Sequence, residues 1–286
     1  MTVDRVPPQP DAYAPGSTQG EWVAAVTRSV RQVRDNIGDP HSLPNLAESA
    51  LLSPFHFHRV FRQLTGSTPG RFVAASRMAE AKRLLACSPM SVTDICMAVG
   101  YSSLGTFTTQ FTRLVGVSPR RFRRLITAFA DQSFNTILAQ LQAVLPAPAH
   151  VQVTGSVTGG PDGGAMAVIG LFRSGIPQER PSACAILPVP GRATFGGLTD
   201  GEYHPLAMSC DPSVTVAEAM GRDDSDGCFV SASPLRVGIS KGRSVTGASF
   251  QAALRARQPI DPPLVIALPL LMAAEVLLSP GQASTR

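Results

Sequence analysis

Between Ser42 and Arg124 the apolar positions fall at helical spacing, and they do so twice. Ser42-Leu43-x-x-Leu46-Ala47 aligns with Ser91-Val92-x-x-Ile95-Cys96 at an offset of 49 residues. Ser53-x-x-x-Phe57-x-x-x-Phe61-x-x-Leu64-x-Gly66-x-x-Pro69-x-x-Phe72 aligns with Ser103-x-x-x-Phe107-x-x-x-Phe111-x-x-Leu114-x-Gly116-x-x-Pro119-x-x-Phe122 at an offset of 50, so one residue is gained in the turn between the blocks. Each copy reads as helix, turn, helix. Ser42, Ser53, Ser91 and Ser103 stand where a side-chain oxygen accepts from the free amides of a first helical turn. Phe57, Phe61 and Leu64, and likewise Phe107, Phe111 and Leu114, occupy i, i+4, i+7, one face of a helix that has to be buried. Gly66 and Gly116 fit left-handed C-caps, and Pro69 and Pro119 end the continuation.

Upstream, Trp22, Val26, Val30, Val33 and Ile37 predict a helix over 21–37, with the tryptophan as a core anchor, and residues 1–20 carry no periodicity and are expected to be disordered. Downstream, Phe134, Ile137, Leu138, Leu141 and Leu145 predict an amphipathic connector helix over 131–145. Pro146-Ala-Pro-Ala then reads as a stiff spacer at a domain boundary. From 151 onward the period shortens to apolar runs cut by Gly, Pro and Asp. Strands are expected at 151–157, 165–173, 183–189, 192–195, 202–209, 228–231, 235–240 and 249–256, the pattern of a β-sandwich or barrel. The glycine-rich stretch 159–164 reads as a hairpin turn or loose loop. Residues 261–278, opening on Asp261-Pro262-Pro263, read as a Pro-broken helix, with a strand at 264–268 as the alternative. They are too short and too interrupted for a membrane span.

The domain organisation expected is thus a tail (1–20), an all-α double helix-turn-helix domain (21–128), a connector (129–149) and a mainly-β, sandwich-like C-terminal domain (150–286). Composition adds little to this, since 44% hydrophobic residues among 286 allow two sizeable cores despite 25 Gly and 25 Pro. Charge adds more. Residues 21–124 hold 14 Lys and Arg against 6 Asp and Glu, whereas 146–286 hold 10 against 11. The basic half is the half suited to nucleic acid.

The outward positions of the two second helices include Phe55, His56, His58, Arg59, Arg62 and Gln63 in the first copy. In the second they include Leu104, Gly105, Thr106, Thr109, Gln110 and Arg113. Arg, Gln and His can bond base edges or phosphates in a major groove wide enough for one helix. A solvated face is the bland reading of any one such residue, but two faces at repeat spacing on a basic segment weigh against it.

Over about 22–124 the sequence resembles the DNA-binding domain of AraC/XylS transcription regulators. The motifs are Ser42-Leu43 to Ala47, Ser53-Pro54-x-x-Phe57-x-Arg59-x-Phe61, Gly100-Tyr101-Ser102-Ser103, Phe107-x-x-x-Phe111 and Gly116-Val117-Ser118-Pro119 before Phe122-Arg123-Arg124. The resemblance implies seven helices, a long connecting helix near 70–86, and two recognition helices directed at successive major grooves. Carried over, contact falls to Phe55, His58 and Arg59 in the first copy and to Leu104, Thr106 and Thr109 in the second. The short second set puts more of the polar readout in the first copy. Arg62 joins these as a further contact, and Arg28, Arg71, Arg113, Arg120, Arg121, Arg123 and Arg124 are candidates for phosphate positioning. In the C-terminal half, the phrase Phe195-Gly-Gly-Leu-Thr-Asp-Gly-Glu-Tyr203 resembles the repeated-turn pattern of transthyretin-like or carboxypeptidase-regulatory-like sandwiches over about 151–210, which implies a fold.

Catalytic chemistry finds no support. There is no G-x-S-x-G, H-E-x-x-H or C-x-x-C, and the glycine-rich stretch lacks the Lys and Ser/Thr of a phosphate loop. The five Cys are scattered and the His do not cluster, so no metal and no cofactor is expected, and a reducing cytoplasm is. The expected partner is double-stranded DNA. RNA polymerase and a small-molecule effector are further candidates, no membrane is expected, and the chain is expected to be a monomer or homodimer. The β domain reads as an effector sensor or as an interaction or dimerisation module, with an enzyme the least favoured reading; a deep apolar pocket would favour the sensor.

Overall fold

The computed structural model describes residues 18–221, 227–231 and 236–267 together with Pro269, Met272 and Ala273. Its helical part runs α1 (Thr18–Asp35), α2 (Leu43–Ser49), α3 (Pro54–Thr65), α4 (Pro69–Cys87), α5 (Val92–Ala98), α6 (Leu104–Val115) and α7 (Pro119–Phe129). The local chemistry is as the repeat requires. The side chains of Ser42, Ser53, Ser91, Ser103 and Ser118 each accept from the amide three residues on. Gly66 (φ 69°) and Gly116 (φ 99°) close α3 and α6 in the left-handed region, where a side chain would cost about 1–2 kcal/mol. Of the expected tail, residues 1–17 lie outside the described residues, and 18–20 are already helical.

The connector helix is α8 (Phe134–Val144), which buries Phe134, Ile137, Leu138 and Leu141 against the strand-rich half. There follow β1 (Val153–Gly159), β2 (Met166–Phe172), β3 (Ala183–Pro188), β4 (Gly191–Phe195), β5 (Gly201–Cys210), α9 (Val216–Gly221), β6 (Cys228–Ser231), β7 (Val237–Ser240), β8 (Arg243–Ser244) and β9 (Ser249–Ala256). The expected mainly-β domain is present, as one continuous sheet of order β3-β2-β5-β6-β9-β1-β4 with β7 and β8 as a flap on β5. The end strands β3 and β4 lie against each other, so the sheet nearly closes on itself. This is the barrel form. With its parallel β1–β9 pair, it departs from the two facing sheets that the transthyretin-like phrase implies.

Two further expectations are narrowed or corrected, and one element was missed. Residues 160–165 connect β1 to β2, which are not paired, so of the two readings of this stretch the loop holds and the hairpin does not. The chain at 262–267 is neither helix nor strand: Asp261 closes a turn on the Gln258 amide (2.6 Å) and pairs with Arg255 (2.7 Å) instead of starting a helix. Helical structure does appear at Pro269, Met272 and Ala273, and positions 268, 270, 271 and 274–278 lie outside the described residues. Finally α9 was not anticipated.

Alternation along β2 and β5 shows how the halves meet. Ala167, Ile169, Leu171, Tyr203 and Ala207 fill the barrel interior with Val153, Phe195 and Leu254. The other faces of the same strands are also covered, by α4, α8 and α9, so β2 is apolar throughout and β5 is buried from Tyr203 to its end. One apolar core therefore runs from the second helix-turn-helix unit (Met78, Leu85, Ile95, Phe107, Phe111, Phe122) into Met166, Ile186, Met208 and Met220. The first unit has its own core around Val26, Phe57, Phe61 and Phe72.

Candidate nucleic-acid interface

Burial of Phe57, Val60 and Phe61 fixes which side of α3 faces outward. Phe55 is 84% exposed, Arg59 and Arg62 are exposed, and His58 is half-buried. On α6 burial of Phe107, Phe111 and Leu114 leaves Leu104, Thr106, Thr109 and Arg113 outward. Arg120, Arg121 and Arg124 are exposed on α7. Among the described residues the guanidinium groups of Arg59, Arg62, Arg120, Arg121 and Arg124 make no protein hydrogen bond or ion pair, so their donors are available to an anion. Arg113 differs: it pairs with Glu179 at 3.2 Å and donates to Gln110 Oε1 at 3.0 Å.

Some outward-facing expectations do not hold. His56 packs its ring near-perpendicular to that of Trp22 (centroids 6.0 Å apart) and is half-buried. Two candidate phosphate arginines are struts. Arg28 donates to the carbonyls of Ser49 and Ala50, and Arg123 donates to those of Leu85 (3.3 Å) and Met90 (2.6 Å). A guanidinium presents five donors, and where helix ends leave orphan carbonyls nearby it satisfies those instead.

Sequence reasoning missed what holds the two units in register. Arg77, on α4, donates to the carbonyls of Ile37 and Asp39 at the end of the first helix and to that of Gly100 in the second unit. A second brace comes from the loop after β2. A Cβ on Gly175 would lie 2.9 Å from the Gly66 carbonyl oxygen, and the Glu179 amide donates to the Leu114 carbonyl at 2.9 Å. That loop thus touches the C-terminal ends of both α3 and α6. Their N-terminal halves, which carry Phe55, Arg59, Leu104 and Thr106, are left exposed.

Also missed was a cleft between α4 and the outer face of the barrel. It has about 900 Å³ of space, open mouth included, of which about 80 Å³ can be reached by the centre of a water molecule. Val168, Phe172, Leu206 and Met208 form its apolar wall, and Lys82, Arg83 and Arg257 supply charge. Lys82 is fully buried and donates to the Leu264 carbonyl at 2.8 Å; burial first, and the Arg257 charge second, pull its pKa down to about 7. The only sequence signal was a lone lysine among Ala75, Ala79, Ala81 and Ala86, small residues that let the sheet approach.

Two capped second helices, held by one long helix and facing outward with unpaired arginines, define a double helix-turn-helix DNA-binding domain. Residues 46–125 match the family of helix-turn-helix domains, and they are of the AraC/XylS type. The HTH-type transcriptional regulator Rv1931c of Mycobacterium tuberculosis is 36% identical over 91 residues, 32% of this chain and 35% of its own length. The bifunctional transcriptional activator and DNA repair enzyme AdaA of Bacillus subtilis is 30% identical over 105 residues, 37% of this chain and 48% of its own length. The chain therefore spans between a third and a half of the length of these curated relatives, through the helix-turn-helix part. Among solved structures, the DNA-binding domain of AdpA in complex with a target DNA is 30% identical, covering 36% of this chain and 94% of that one with a TM-score of 0.35. No helix among the described residues is long and apolar enough to cross a membrane.

Proposed function

We propose that the protein is a sequence-specific transcription regulator whose α3 and α6 enter successive major-groove faces about one turn, ~34 Å, apart, and whose β domain senses a small molecule. One observation carries the DNA reading: two second helices, each with a serine N-cap and a left-handed glycine C-cap, expose their N-terminal halves, with the guanidinium groups of Arg59, Arg62, Arg120, Arg121 and Arg124 free of protein partners among the described residues. Base readout falls to Phe55, His58, Arg59 and Arg62 on α3 and to Leu104, Thr106 and Thr109 on α6. Phosphate positioning falls to Arg113, Arg120, Arg121 and Arg124. The sensor reading is favoured over a pure interaction module by the cleft between α4 and the barrel. Such a protein acts on transcription through RNA polymerase, as a monomer or homodimer, in the cytoplasm where its DNA lies, and is not an enzyme.

The test is selection by the full chain from a randomised duplex library across a salt series. Enrichment of a bipartite site supports the reading. Engagement of six to ten phosphates predicts that affinity falls by about 10³–10⁵ between low and moderate salt. Salt-sensitive binding with no enriched sequence would reduce the protein to a nonspecific DNA binder.

A further inference from the structure

We propose that the outer face of the sheet, beneath α9, holds a buried site for a soft monovalent cation, Cu(I), made by the thiols of Cys210 and Cys228 with the thioether of Met166. This deepens the sensor reading of the β domain by naming an ion as its effector, and only the last arm of the test depends on that reading.

The five cysteines are scattered along the chain, but the sheet sets two of them face to face. Cys210 on β5 is directly opposite Cys228 on β6. The Asp211 amide donates to the Gly227 carbonyl at 2.7 Å, so that neighbouring pair is the hydrogen-bonded one and Cys210–Cys228 is a non-hydrogen-bonded pair. In such pairs the Cα atoms are about 4.5 Å apart and the side chains approach most closely. Across the other edge of β5, Ala167 faces Ser209, which brings Met166 level with Cys210. Met166, Cys210 and Cys228 are 7%, 1% and 3% exposed, and they belong to the core outside the barrel interior, together with Met208 and Met220.

That donor set selects the ion. Thiolate and thioether sulfur are soft ligands, and they favour Cu(I). The Asp211 carboxylate, next in the chain, already accepts from the amide and hydroxyl of Ser213. Among the described residues no three of His, Cys, Asp or Glu gather to hold a metal, so the four-ligand set of a structural zinc site is not assembled. The hydrogen bond with Cys228, and then burial, hold the Cys210 thiol well above its ordinary pKa. Cys210 therefore stays protonated until an ion displaces the proton. Binding moves no electron. A sulfur–copper bond forms as one S–H bond breaks, the proton leaves to solvent, and the thiolate cancels the single charge of the ion. The second thiol and Met166 add neutral sulfur donors.

Met208 and Met220 also line the cleft between α4 and the barrel, which gives an ion a sulfur-bearing way in from solvent. Met220 belongs to α9. That helix packs on α4, which joins the two reading units, and on α7, which carries Arg120, Arg121 and Arg124. An ion that tightens the sheet beneath α9 therefore bears on both helices.

The experiment is anaerobic titration of the reduced full chain, without DNA, with Cu(I) in the presence of the chromophoric competitor bicinchoninate. The expected result is one Cu(I) withdrawn per chain, with release of about one proton, and Zn(II) in excess does not displace it. X-ray absorption at the copper edge then shows sulfur alone at bonding distance. Cys210→Ser and Met166→Leu weaken binding, the first by more than about a hundredfold, whereas Cys87→Ser, which removes an exposed thiol, leaves it unchanged. No Cu(I) withdrawn from the competitor, nitrogen or oxygen bonded to the copper, binding kept in Cys210→Ser, or binding lost in Cys87→Ser would overturn the proposal. The wild-type titration and the absorption spectrum need no variant to fold. Because these arms contain no DNA, a failure of the regulator reading leaves them interpretable, and sequence selection without Cu(I) binding sinks this inference alone. In the last arm, saturating Cu(I) changes the Kd for a selected duplex at least threefold; an unchanged Kd would overturn the relay through α9.

Discussion

Arg59 and Arg121 are both exposed arginines on the basic half, yet they stand in different places. Arg59 lies on the outward face of α3, between buried Phe57 and Phe61, whereas Arg121 lies in the first turn of α7, outside either recognition helix. Arg59→Ala is expected to lose about 1–3 kcal/mol on the selected duplex and to relax the requirement at one base pair. Arg121→Ala is expected to weaken all sequences alike and lower the salt slope by about one. Binding of both variants to selected and random duplexes checks this, and equal losses on the two for Arg59→Ala would remove its base-reading role. Lys82 gives a second prediction. Its folded pKa of about 7 lies below the ordinary lysine value of 10.5, so between those values the unfolded chain binds more protons and stability rises with pH. Urea melts from pH 7 to pH 10 should show wild type gaining on Lys82→Met, by on the order of a few kcal/mol. The comparison with the variant matters because the thiols of Cys96 and Cys184, raised by burial, act in the opposite sense at the alkaline end. Sequence told which faces of α3 and α6 are buried, because helical periodicity fixes that, but not that His56 packs against Trp22 of another helix. It could not tell that Arg28, Arg77 and Arg123 spend their donors on helix-end carbonyls, since those carbonyls come from elements 21 to 40 residues away.

At the level of elements, the caps were legible because each lies within three residues of the amide it serves. Ser103→Ala is expected to cost about 1 kcal/mol in a urea melt, by orphaning the Thr106 amide at the start of α6. Gly116→Ala should cost about 1–2 kcal/mol from its positive φ. The missed helix α9 was within reach of the same reasoning. Thr215-Val-Ala-Glu218 is a capping box: the Glu218 amide donates to Thr215 Oγ1 and the Glu218 carboxylate accepts from the Thr215 amide. The strands were legible as apolar runs, but their closure into a barrel was not, because pairing such as β1 with β9 joins segments nearly a hundred residues apart. The turn at Asp200 was visible as Asp-Gly. What that carboxylate does, accepting from the amides of Lys241 and Gly242 at the far flap, was not.

Across the whole molecule, the boundary expected at 146–149 separates chain segments more than cores. Both α4 and α7 pack on α9, and the amides of Val216 and Ala217 donate to the carbonyls of Gln132 and Ala130. A fragment ending at 128 is therefore expected to expose apolar surface from the shared core, and to bind 8-anilinonaphthalene-1-sulfonate more strongly than the full chain does. The same continuity lets the β domain hold two reading helices at a fixed spacing. The measurement that tests this most directly inserts about five base pairs, half a helical turn, between the half-sites of a duplex selected by the full chain. If α3 and α6 are held on α4 and read one face of the duplex, the insertion should reduce affinity to that for random DNA, because only one helix can then engage its half-site. Binding indifferent to the insertion would contradict the account of two helices held in register.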